Sequence, residues 1–431
     1  MTIDEVKKSI HDAIEKRDFT QEFSPANQML LNQHIGTFQA VLSGKGDEKY
    51  LIPELGTTHF LYRGQNEEHN PCRPTIYRGD PEDDDIFIDR MKLTVFKRLL
   101  ASHPVVEKFF RRHHFLVNEE GLGQHYGLNT EVLDLTSSLD VALFFATCKY
   151  DKQNDCYDYY RDGVHNAVLY MFDPLRDNEP TPSMRFDRYM NGNIRPIGLQ
   201  AFPRPGVQFG YGLRIPRGES TKSWMYEFSF TAEESKSFYD MFHKGDILWV
   251  KDRLVEKTKE ITAMDSFSFS VFNETFDTYQ PKGWTKSKMK KALKGVKFHT
   301  HIEDYLFSEL EQKEIIEEWN DHLGRETASK IVRKQSFSFD DKEKESDGTE
   351  KLIGIHNKMD YLTTKRLGDL VNLVFVTAPE DPDGALWKNY TGKPRPKEYN
   401  PYNGQWQKVD GGMISVFGKP YLTEKDWIIK G

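Results

Sequence analysis

Cysteine is scarce: 431 residues hold only Cys72, Cys148 and Cys156, with no CxxC pair and no Cys/His spacing of the zinc kind. That scarcity argues against a disulfide scaffold or a bound metal and for a reducing, cytoplasmic setting. Long apolar runs are missing as well. No stretch approaches the roughly 18 to 20 consecutive apolar residues that a membrane span needs, and the opening MTIDEVKKSIHDAIEK is charged where a signal peptide needs an apolar centre. No membrane partner is therefore expected. Cationic excess is also lacking: 59 Lys and Arg face 67 Asp and Glu, for a net charge of −8, which argues against polyanion binding over the whole surface but not by a local patch. The phosphate loop GxxxxGK[ST], the zinc helix HExxH and the GxSxG elbow do not occur, nor does a solenoid repeat.

Aromatic residues are abundant, at 13%, within a hydrophobic content of only 37%. Large rings therefore take the place of aliphatic side chains in the expected core. The length suits more than one folding unit, and a change of texture near residue 262 suggests a division into residues 1–260 and 261–431.

The expected class is α+β, with mixed, mainly antiparallel small sheets flanked by helices and a second C-terminal region. Ile3, Val6, Ile10 and Ile14 have helical spacing over residues 2–17, and a second helical pattern covers Asn27 to Leu42. HFLYRGQ reads as a short strand. Five acids in Gly79–Asp85 precede a helix over Ile86 to Ala101, where they complement its dipole, and another helical stretch covers Val105 to Val117. EEGLGQHYGL reads as a short helix stopped at Gly127, VLDLT as a strand, and Ser137 or Ser138 as the cap of the helix LDVALFFATCKY. HNAVLYMFDP and SWMYEFSF read as strands. Short strands with tight turns are expected around QAF and VQFGYGL, and GDILWV with DRLVEKTKEI reads as strand then helix. Farther on, a helix is expected over His301 to Leu323, a polar loop over 335–351, and a tail over Ala378 to Gly412 that wraps an existing surface.

Asp134 sits inside an apolar strand, and a carboxylate there needs a partner. Arg63 and His125 are the candidates, so these three are expected near one another. Gln208, between Val207 and Phe209, is read as pointing from a strand into a cleft or to solvent. Each has a plainer reading beside the functional one: Arg63 as a structural arginine, His125 and Tyr126 as core residues, and Asp134 with Thr136, Ser137 and Ser138 as helix capping.

Four ordered pieces, LYRGQ (Leu61 to Gln65), CRPTIYR (Cys72 to Arg78), GLGQHYGLNTEVLDLTSSLDVALFFAT (Gly121 to Thr147) and RPGVQFGYG (Arg204 to Gly212), resemble the FRG domain family. The Phe-Arg-Gly triplet of the family reads here Tyr62-Arg63-Gly64. Two positions depart from its pattern: Glu131 replaces an arginine and Leu135 a tryptophan. The activity of the family is unsettled. The order of residue types is in turn similar to the Arg, Ser-Thr-Ser and Glu series of ADP-ribosyltransferases, which implies NAD as cofactor. In that likeness Arg63 holds the diphosphate with Gly64 letting the ligand approach, Ser137 or Ser138 orders the nicotinamide pocket beside His125 and Tyr126, and Gln208 meets the ribose, with Asp134 completing the catalytic set. The alternative is a noncatalytic module that recognises a nucleotide, a nucleic acid or a protein. For the latter two partners the candidate patch is the stretch 281–297, which carries seven lysines and Trp284. That run equally suits a solvated face or pairing with the acids at 79–85.

Overall fold

The structure is a computed structural model that describes residues 1–16, 38–43, 47–53, 60–67, 72–173, 193–219, 223–300, 304–338, 342–344, 350–352, 372–374, 413–422 and 426–430. Ten strands come first in the chain: β1 (Phe38–Leu42), β2 (Lys49–Pro53), β3 (Leu61–Gln65), β4 (Val132–Thr136), β5 (Cys148–Asp151), β6 (Cys156–Tyr159), β7 (Val164–Phe172), β8 (Ile194–Pro196), β9 (Gly210–Arg214) and β10 (Trp224–Thr231). Six of them form one antiparallel sheet in the order β10-β7-β3-β4-β9-β8. The class is α+β, as expected.

The alternation of β7 explains how that sheet is covered. Ala167, Leu169 and Met171 join a cluster with Ile3, Val6, Ile10 and the helix Leu139–Thr147, while Val168, Tyr170 and Phe172 join another with Leu61, Leu133 and Leu135. A period-two pattern thus becomes two buried faces. The helix Leu139–Thr147 lies directly on β3. A Cβ added at Gly64 would fall 1.7 Å from the carbonyl oxygen of Ala142, so glycine is required by helix-on-strand packing, a different reason from ligand approach.

A second, five-stranded sheet joins the ends of the chain. β1 pairs antiparallel with β2 and parallel with the strand Ile331–Ser338, which continues through Met413–Pro420 to Asn372–Val374. The largest core cluster likewise draws on both sides of residue 260, combining Phe87, Phe96 and Phe109 with Phe272, Trp319 and Trp427. Its rings meet edge-on or tilted, as between Phe109 and Trp319 at 4.8 Å, the arrangement that aromatic quadrupoles prefer.

Local readings hold where capping and periodicity agree. The first helix runs Ile3–Lys16, Glu82 and Asp85 form a capping box for Asp83–Ala101, and Ser138 caps Leu139–Thr147. Others are corrected. Within the expected helix Asn27 to Leu42, residues 38–42 form β1, and residues 27–37 lie outside the described residues. The stretch 105–117 contains a π-turn, Val106–Arg111, and no long helix. The GDILWV segment is a series of turns, because Gly245 at φ +84 ends a short 3-10 turn. Gln208 is the cap of a helix, Pro203–Val207, since Pro203 and Pro205 favour a helical start over a ladder that needs their missing N–H groups. The helix expected from His301 starts at Glu309, where Ser308 and Glu311 form a capping box. Parts of the polar loop 335–351 are strand, in Ile331–Ser338, Lys342–Lys344 and Glu350–Leu352. Residues 378–412, read as a wrapping tail, lie outside the described residues.

Candidate functional site

β3 and β4 register at one pair only, Tyr62 with Thr136. Beyond it the ladder gives way to a side chain: Arg63 Nη1 donates to the carbonyl oxygen of Asp134 at 2.9 Å. A cavity of about 300 Å³ opens here, lined by residues 62–66 of β3 and its end, by Gln124 and His125, by Asp134 to Thr136, and by Gln208. Phe145, Tyr150, Tyr157 and Trp249 supply aromatic walls.

Buried polar atoms without a protein partner concentrate in this cavity. Arg63 Nε, Gln65 Oε1, His125 Nε2 and Asp134 Oδ1 all lack a hydrogen bond. A buried polar atom left unpaired costs about 1–3 kcal/mol, so four around one small cavity single it out as the candidate site. His125 Nε2 stands 3.7 Å from Asp134 Oδ1, too long for a hydrogen bond but close enough for each to feel the other's charge. Burial pulls the imidazole of His125 below its ordinary range, and the Asp134 charge and a hydrogen bond that the ring donates to Gln208 only partly restore it. Burial likewise pushes the Asp134 carboxyl up against the opposing pull of His125, Arg63 and Arg78. Both groups are therefore biased toward their neutral forms, which suits proton exchange with a ligand.

The surroundings hold these groups in place. Gln208 Nε2 donates to the carbonyl of Leu248 at 2.8 Å, and Thr136 Oγ1 donates to the carbonyl of Gln208 at 2.7 Å. The next residue, Phe209, has φ +50, a costly conformation for a bulky side chain. Arg204, only 2% exposed, donates to the carbonyls of Val250 and His125 at 2.9 and 3.3 Å. Its guanidinium lies between the rings of Tyr126 and Trp249, 4.7 and 4.0 Å from their centroids. Asp155 fixes the aromatic wall by accepting from Tyr150 Oη at 2.6 Å and Trp249 Nε1 at 2.9 Å. Burial acts to raise the Asp155 carboxyl, but those bonds and Lys259 outweigh it and hold the group at about 2.

Of the residues singled out in sequence, Arg63, Gly64, His125, Asp134 and Gln208 line the one cavity. Three do not. Tyr126 turns into the core, where its hydroxyl donates to Asp252; Ser138 caps its helix through Val141 N at 3.3 Å; and Ser137, 8% exposed, donates its backbone N–H to Phe209 at 3.2 Å. Thr136 occupies the lining position instead. Tyr150, Tyr157, Trp249 and Asp155 carry no distinguishing motif in sequence, while Gln65 and Arg204 lie in LYRGQ and RPGVQFGYG but were not singled out there. The alternation of Tyr150, Tyr157 and Tyr159 around a hairpin was the one available signal.

The departures from the FRG pattern are accommodated. Glu131 accepts from Arg90 Nη2 and from Arg214 Nη1, both at 2.5 Å. Its reversed charge thus has two cationic partners. Leu135 fills the core beneath the sheet.

Residues 58–155 match the FRG domain family. That stretch contributes Arg63, Gln65, His125 and Asp134 of the candidate site, while Tyr157, Gln208 and Trp249 come from beyond it. Neither the curated proteins nor the solved structures hold a match to the chain.

The lysine run is in part absorbed by the fold. Lys286 and Lys297 pair with Asp277 and Asp265 at 2.8 and 3.3 Å, and Lys290 lies over the Phe269 ring at 4.2 Å. Trp284 donates from Nε1 to Asp83 at 2.7 Å, which ties it to the acidic stretch 79–85.

Proposed function

We propose that the FRG-domain cavity takes a nucleotide-type ligand and that the chain is an ADP-ribosyltransferase-like enzyme acting on NAD, with Asp134 supplying the acid that position 208 lacks. The observation carrying this reading is the convergence of four buried polar atoms without a bond, one on a cationic, one on an acidic and two on neutral side chains, between aromatic walls. Flat rings suit the faces of Phe145, Tyr157 and Trp249, and Arg63 offers its guanidinium to phosphate. About 300 Å³ is at the small end of ligand sites, so one nucleoside-sized end of a dinucleotide fits inside and the rest extends outward.

In this reading Asp134 faces the positive charge that develops at the anomeric carbon as its bond to the nicotinamide nitrogen breaks and the bonding pair moves into the ring. The cationic ring of NAD itself favours the ionised carboxylate, opposing the effect of burial. His125, neutral and unpartnered at Nε2, takes the proton of the attacking hydroxyl or water. Gln208 holds the imidazole. A recognition module is the competing reading, favoured by the absence of Ser137 from the cavity lining and by an amide at position 208.

Incubation with NAD distinguishes them. Nicotinamide release followed by chromatography, alongside calorimetric binding, should show turnover in the unmodified protein, weakened binding in Arg63→Ala, and retained binding with at least a hundredfold slower release in Asp134→Asn. Binding without release in the unmodified protein supports the module, and no binding removes NAD from consideration.

A further inference from the structure

A larger and more apolar cavity lies elsewhere. It measures about 780 Å³ and is walled by Phe38, Leu199, Phe202, Ile315 and Trp319, with His103 set among them. That volume is typical of small-molecule sites. His103 is only 5% exposed, and its Nδ1 has no hydrogen-bond partner. Its ring is fixed by Phe202 and Phe307, with centroids 4.7 and 5.0 Å away.

Two features limit what could sit there. The charged side chains at the margin are already engaged: Arg253 with Glu314 at 3.0 Å and Glu318 at 3.9 Å, Lys330 with Glu326 at 2.7 Å, Asp252 with the Tyr126 hydroxyl, and Lys251 with the Asn154 carbonyl at 3.4 Å. Burial and the nearby Arg253 hold the His103 imidazole down at about 3, so it is uncharged at neutral pH and cannot serve as a counter-ion. An occupant must then be mainly apolar and neutral, with one polar group for Nδ1. A hydroxyl serves either imidazole tautomer, because it both donates and accepts.

We propose that this cavity is a second ligand site, distinct from the FRG cavity, for an uncharged, predominantly apolar small molecule that carries a hydroxyl group bonded to His103 Nδ1. The probes are 2-naphthol, which has the hydroxyl, and naphthalene, which lacks it. Equilibrium dialysis at pH 7 should show one 2-naphthol bound per chain with a Kd about tenfold below that of naphthalene, the factor expected for one hydrogen bond to a buried group. His103→Phe should equalise the two, and Ala201→Phe, which adds a ring at a lining position of the cavity, should abolish both. On the unmodified protein, the ¹⁵N signals of the His103 imidazole should move with 2-naphthol and stay with naphthalene, so the outcome does not depend on either variant folding. Failure of both probes to bind the unmodified protein, an unmoved imidazole signal, or a preference that survives in folded His103→Phe overturns the proposal.

Discussion

Replacing Glu131 by arginine, the residue the FRG pattern favours there, should destabilise this chain. Glu131 is 12% exposed and lies against Arg90, 19% exposed, while its other oxygen meets Arg214, 47% exposed. Arg214 also pairs with Glu120, and Arg90 stacks over the Tyr279 ring at 4.4 Å. The cluster therefore holds two guanidinium groups and two carboxylates. Glu131→Arg leaves three cations facing one acid in a site with little access to water. Losing one partner of a buried pair costs about 3–5 kcal/mol, and the exposed Arg214 arm adds less than about 1 kcal/mol because solvent screens it. A total near 4 kcal/mol is expected, read as a lower midpoint in urea denaturation at unchanged slope. Glu131→Gln, which keeps shape and loses charge, should cost about half as much. Adding Arg90→Glu to Glu131→Arg should recover more than about 1.5 kcal/mol as a coupling term in a double-mutant cycle. A loss below about 1 kcal/mol, or strictly additive effects, would refute the view that this node compensates the reversed charge.

Gly64→Ala should cost more than about 3 kcal/mol, above the usual range for overpacking, because its Cβ would meet the Ala142 backbone at 1.7 Å and no rotamer can relieve it; a thermal melt checks this. Asp134→Asn should be stabilising near neutral pH by about 1 kcal/mol even as activity falls. The raised carboxyl means that the unfolded chain ionises first as pH rises above about 3.8, which opposes folding at neutral pH; denaturation at pH 7 tests it. His125 acts in the other direction on the pH axis. With its imidazole held below 6.5 when folded, the unfolded chain takes the proton first, so stability should fall as pH drops below about 6.5, and His125→Asn should flatten that decline. Asp155, held at about 2 against an ordinary 3.8, contributes roughly 2 kcal/mol that should be present above pH 4 and lost between pH 4 and 2. Asp155→Ala should also release Tyr150 and Trp249, seen as altered tryptophan fluorescence.

Legibility differed between fold and site for physical reasons. The helix start at Ser138 was readable because a cap acts within three or four residues, whereas the helices capped by Glu82 and Ser308 were expected to start at Ile86 and His301. The Asp134 neighbourhood was readable because a carboxylate in an apolar strand has few ways to be tolerated. The segment around Gln208 was misread as a strand because apolar spacing alone does not register two prolines that deny a ladder its donors. Tyr126 was grouped with His125 in the site by the resemblance, yet neighbouring helical residues point about a quarter-turn or more apart, only His125 lines the cavity, and the plainer reading of Tyr126 as a core residue holds.

The sequence by itself determined the α+β class, the main strands of the large sheet and the grouping of Arg63, His125 and Asp134, all of which follow from local periodicity or from one unfavourable placement of charge. Tertiary structure alone decided that β3 and β4 part after one registered pair, that Trp249 reaches the opening from far along the chain, and that residues on both sides of 260 share one core. Those facts depend on long-range closure, whose free energy comes from summed burial across distant segments and leaves no signature in any short window of residues.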